Sequence, residues 1–188
     1  RSGPSGNRHI ALVGLFLRTF DASSYCVRSA MSGNYTGSAI YARDILETQF
    51  LLSYLLDEPG RPEAWLSSDP STYPKEYHPA KIREDLDKRD GFESKKRFEL
   101  YEAFSELAGH PNMNSQLMMK PEKGGDIVMG PFIKETALAA TLFEMGRLAV
   151  QVGTPLNLFC PDHWQDAVPK RVEFSRSQRI WFEKFYPV

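Results

Sequence analysis

The chain has 188 residues, 41% of them hydrophobic and 12% aromatic, enough to fill one substantial core and too much for a disordered chain. Lys plus Arg (23) and Asp plus Glu (24) nearly cancel, which excludes a global field drawing the chain onto nucleic acid or an anionic membrane. Cys26 and Cys160 lie far apart with no metal-type spacing and read as reduced thiols of a cytoplasmic protein.

In chain order, residues 1–8 read as a flexible tail and 9–188 as a single helical-bundle domain. Ile10–Leu17 is too short to span a membrane and is followed at once by Arg18, so no membrane contact is expected. No signal-peptide pattern occurs either. Ile10, Val13, Leu17, Phe20, Ser24, Val27 and Met31 recur at three and four residues, predicting a helix over 9–32 with that stripe inward. Ser32-Gly33-Asn34 ends it. A second helix is expected over 36–57, stopped by Glu58-Pro59-Gly60. Apolar over most of its circumference, it should be buried on more than one side.

Residues 58–80 hold five prolines and read as a long loop with one short helical turn near Pro62. Lys81–Arg89 is a short charged helix with Ile82 and Leu86 inward. The next helix, 92–108, gathers Phe98, Tyr101, Phe104 and Leu107 on one face and is stopped by Gly109-His110-Pro111. Residues 111–130 form a second long loop. Pro131 is expected to open a helix over 131–152, closed by Gly153-Thr154-Pro155. A shorter helix over about 172–185 carries Phe174, Trp181, Phe182 and Phe185. The expectation is an all-α, up-and-down bundle of four long helices plus a shorter C-terminal helix and two long loops.

The chain has no Glu-x-x-His, His-Glu-x-x-His, P-loop or dinucleotide fingerprint, and its four histidines are scattered, so neither a metal nor another cofactor is expected. What remains is polar residues inside apolar stripes. Arg43 and Glu47 lie four apart between Ile40, Phe50 and Tyr54, an intrahelical ion pair that, if buried, needs further hydrogen bonds. Tyr101, Ser105 or His110 could supply them. One reading is a catalytic pocket with His110 as acid or base, Arg43 binding an anion and Glu47 orienting one of them, with Tyr101 and Ser105 contacting the ligand. The other is a structural network fixing helix register.

The succession RDILETQFLLSYLLD, KIREDLDKR and ELYEAFSELAGHP, within about residues 36–152, resembles bacterial all-α proteins of the HEPN-like helical-bundle type. There an Arg-x-x-x-Glu helix precedes a helix ending in a Ser-x-x-x-x-His-Pro-like turn, positions held here by Arg43, Glu47, Ser105, His110 and Pro111. Nuclease members of the wider group place a His four to six residues after an Arg. No His of this chain does so, and the resemblance implies a fold more than a reaction. The expected function is a binding or assembly module without its own catalysis, engaging a protein partner or a second copy. The alternative is a nucleotide- or RNA-acting enzyme or ligand binder using Arg43, Glu47 and His110.

Overall fold

The computed structural model describes residues 4–71, 73–108, 112–113, 115–120, 125–128, 131–159 and 164–187. It is all-α: α1 (Pro4–Met31), α2 (Tyr35–Asp57), α3 (Arg61–Leu66), α4 (Tyr73–Glu76), α5 (Pro79–Arg89), α6 (Lys96–Ala108), α7 (Glu135–Phe159) and α8 (Ala167–Phe185), with a 3-10 turn at Ser115–Met119 and no strand among the described residues. The expected loop over 58–80 thus carries α3 and α4, and α1 begins at Pro4, inside the stretch expected as a tail.

The α1–α2 connection is legible in its residues. Gly33 takes φ +74°, and a Cβ there would meet the Phe132 backbone at 2.2 Å, so only glycine fits. Asn34 caps α2 by accepting a hydrogen bond from the Gly37 N–H at 2.9 Å. The Tyr35 hydroxyl accepts from the Lys134 N–H (3.0 Å) and donates to the Lys134 carbonyl (3.1 Å), tying the approach to α7 to this corner. Helix α2 packs against α1, α3, α5, α6 and α7, as its all-round apolar surface requires. Its Ile45, Leu46, Phe50, Leu52 and Leu55 join Leu12, Leu15, Phe16, Leu86, Phe104 and Leu148 in one core.

Helix α1 turns the opposite way from expectation. The predicted inward stripe faces out: Leu17 is 60% exposed, Phe20 69% and Met31 58%. The buried stripe is Ala11, Leu12, Leu15, Phe16, Thr19, Ala22, Cys26 and Ala30. Its small side chains let α2 come close at Ser38, Ala39 and Ala42. There the Cys26 thiol bonds the Ser38 carbonyl (3.2 Å), and the Ser38 hydroxyl donates to the Cys26 carbonyl (3.0 Å). Burial pushes the Cys26 thiol above its ordinary pKa, so it is an inert packing group. By length and composition alone, 6–31 could cross a membrane, but 39% of its most apolar window is buried in the bundle.

Helix α7 starts at Glu135, not Pro131, and runs through Gly153-Thr154-Pro155 to Phe159. Pro155 removes one donor, while the Thr154 hydroxyl donates to the Val150 carbonyl at 2.8 Å. Gly153 is no terminator; it is a seat for α8. A Cβ there would lie 2.2 Å from Phe174 Cζ, and one at Gly146 would lie 2.6 Å from Trp181 Nε1. Helix α8 has no buried residue and rests on α7 through such contacts and the Phe143–Trp181 stack. Gly153→Val should therefore release α8. Trypsin is expected to cut at Lys170, Arg171, Arg176 and Arg179 several-fold faster, while thermal unfolding of the rest shifts little. Unchanged cleavage would place the strength of that docking elsewhere.

Candidate functional site

Arg43 and Glu47 sit one turn apart on α2, and Arg43 Nε donates to Glu47 Oε1 at 3.2 Å. Arg43 Nη2 also donates to the Tyr101 hydroxyl on α6 at 2.6 Å. Three of the five candidate residues are thus brought together, half-buried, at the α2–α6 contact. Ser105 does not join them: its hydroxyl donates to the Tyr101 carbonyl at 2.8 Å, a bond within its own helix. His110 and Pro111 lie outside the described residues, as do Gly109, Cys160 and His163. His78 caps α5, accepting from the Ala80 N–H, and His9 packs between the rings of Phe159 and Trp164. No group of three or more His, Cys, Asp or Glu that could hold a metal occurs among the described residues.

The residue that pattern reading missed is Arg83. Helix α5 buries Arg83 and Asp87 along with Ile82 and Leu86, correcting the expectation that only the two aliphatics face inward. Its turns explain the choice: 82, 83, 86 and 87 fall on one face at three and four residues. Arg83 is 7% exposed, and its guanidinium lies 4.1 Å from the centre of the Tyr101 ring; the Arg43 guanidinium lies 4.8 Å from the same centre. Two cations thus share one aromatic face system. Arg83 Nε and Nη1 are buried without a hydrogen-bond partner. Burial lowers the Arg83 pKa from its ordinary value, opposed by electrostatic attraction to Tyr101 and Glu47.

Arg83 lines a cleft of about 540 Å³ between α1, α2, α3 and α5. The size falls within the ~300–1,000 Å³ common for small-molecule sites. Its walls include Leu15, Phe50, Leu51, Trp65, Tyr73 and Tyr77, and its polar groups include Arg18, Asp44 and Glu47. Arg18 Nη2 donates to Asp44 Oδ1 at 2.5 Å, so those two charges satisfy each other. Trp65 keeps its indole N–H buried without an acceptor. Tyr77 is 5% exposed, and burial raises its pKa first, with Glu76 adding to it, so it stays a neutral phenol. Tyr77 belongs to the core, and Trp65 is half-buried against it.

The signal for Arg83 was present but ambiguous: an Arg beside Ile82 on a short charged helix reads as solvated until α6 covers it. Comparison with known protein families, with curated proteins and with solved structures finds no match.

Proposed function

We propose that this chain is a binding and assembly module of the cytoplasm that works without catalysis of its own and pairs with a second copy through α1. The carrying observation is the stripe Ile10, Val13, Leu17, Phe20, Ser24, Val27 and Met31, exposed at Ile10, Leu17, Phe20, Val27 and Met31 and half-buried at Val13 and Ser24. Its alternating three- and four-residue spacing is that of a coiled-coil seam. A monomer exposes single hydrophobes freely, but a seam of five exposed hydrophobes on one helix calls for a partner. Exposed Asp21 and Arg28 flank the seam two turns apart, so a two-fold axis can set each against its opposite on the second copy. Arg43 spends its donors on both Glu47 and Tyr101, which favours a structural network there over a catalytic one.

Sedimentation equilibrium of the full chain tests this. A dimer is expected that dissociates at least tenfold more readily in Leu17→Glu/Phe20→Glu, with the helical circular dichroism unchanged. A monomer at all accessible concentrations overturns it, and co-sedimentation of that monomer with anionic vesicles would reassign α1 to a membrane surface.

A further inference from the structure

We propose that the cleft between α1, α2, α3 and α5 is a binding site for a small aromatic monocarboxylate, its acid group held on Arg83 and its ring between the cleft aromatics. This site is reached independently of pairing through α1; of the seam residues, Ile10 also lines the cleft.

The first observation is a buried cation without a hydrogen-bonded anion. Buried arginines are ordinarily forked onto a carboxylate or phosphate, and Arg83 Nε and Nη1 have nothing. An isolated buried charge is costly unless it is paired, so a site that keeps one is complete only with an anion present. Trp65, which lines the same cleft, likewise keeps its indole N–H buried without an acceptor. Both unmet groups donate, so the missing ligand group accepts.

The second observation sets the charge. Asp44 and Glu47 also line the cleft, one bonded to Arg18 and the other to Arg43. With those carboxylates bonded to Arg18 and Arg43, Arg83 is, among the described lining residues, the cation with no bonded acid, and a singly charged acid would complete it. A phosphate monoester would bring a second negative charge against Asp44 and Glu47. A neutral ligand would leave the guanidinium as it is. The third observation is the body of the site: Leu51, Trp65, Tyr73 and Tyr77 offer flat apolar surface suited to a ring of one or two cycles.

Three probes with one ring system separate the possibilities: 2-naphthoate, 2-naphthylmethanol and 2-naphthyl phosphate, titrated calorimetrically into the full chain. The acid is expected to bind at least tenfold tighter than the alcohol and no more weakly than the phosphate. Arg83→Met should reduce acid binding at least tenfold and leave the alcohol unchanged. Gly14→Leu is the second variant: Gly14 lines the cleft, and a Cβ there meets nothing within 4 Å, so its side chain should fill the cleft and abolish binding of all three. Equal binding of acid and alcohol, or acid binding indifferent to Arg83→Met, overturns the role of Arg83. Tighter phosphate overturns the monocarboxylate class, and failure of all three probes on the unaltered chain overturns the site.

Discussion

Arg83→Met is expected to raise the melting temperature of the ligand-free protein by about 3–6 °C, the shift that about 1–2 kcal/mol produces in a chain of this size. Most core substitutions destabilise, and this one should not, because it removes an unbalanced charge. The guanidinium is 7% exposed, and two of its nitrogens lack acceptors. Met keeps a similar unbranched stem against Ile82 and Tyr101 while discarding the polar head. Against the gain stands the loss of the contact with the Tyr101 ring at 4.1 Å and of attraction to Glu47. Cation–π contacts contribute about 0.5–2 kcal/mol, and the cost of an unpaired buried ion exceeds this. A lowered melting temperature would mean that Arg83 is satisfied in the folded chain. A raised one marks a residue kept at a cost to stability, as binding residues often are.

Arg97→Met is expected to do the reverse, lowering the melting temperature by about 5–10 °C. Arg97, on α6, donates from Nη1 to Asp87 Oδ1 at 2.6 Å and from Nη2 to Asp90, joining α6 to the end of α5. Its guanidinium also lies 5.3 Å from the centre of the Phe92 ring. The side chains of Arg97 and Asp87 are 16% and 10% exposed, so removing the arginine strands a nearly buried carboxylate. Breaking such a pair from one side costs about 3–5 kcal/mol when fully buried, and about 2–4 with the water left here. Adding Asp87→Asn should recover part of the loss, because the buried position 87 then carries no charge, while Asp90 keeps Arg89.

The pH dependence has a definite sign. Hydrogen bonds from Arg89, then from Arg97, hold the Asp90 carboxyl below its ordinary pKa, against the opposing effect of burial. A lowered folded-state pKa gives stability that is present above the unfolded value of ~3.9 and is lost as pH falls through the folded value. Wild-type stability should therefore decline below about pH 4. The Arg97→Met deficit should narrow over the same range, as Asp90 takes up its proton. A deficit constant from pH 7 to 3 would assign the loss to packing on Phe92.

The opposite signs expected for these two arginines rest on one difference, visible only in three dimensions. Both stand among hydrophobes on neighbouring charged helices. Arg97 finds Asp87 and Asp90 across the α5–α6 corner, whereas Arg83 meets the Tyr101 ring and the cleft. The pairing of Arg43 with Glu47 was legible because both lie on one helix, where a four-residue step fixes the distance. Its link to Tyr101 was among the expected possibilities, and Ser105 proved to spend its hydroxyl on its own helix.

The sequence by itself determined the all-α class and the central place of α2. Apolar residues over most of its circumference call for burial on more than one side, and Gly33 and Asn34 mark its start. The direction of α1 was decided only by the tertiary structure. Its two stripes share one spacing, and the side chains small enough for α2 to approach, with the Cys26–Ser38 bonds between them, settle which is buried. The same holds for α7 past Pro155, where Phe174 seated on Gly153 accompanies a helix that local signals would end. Arg83 completes the pattern. Periodicity assigns a residue to a face, but whether that face meets water, an acid or an empty cleft depends on distant segments, because burial and pairing energies arise between elements and not within them.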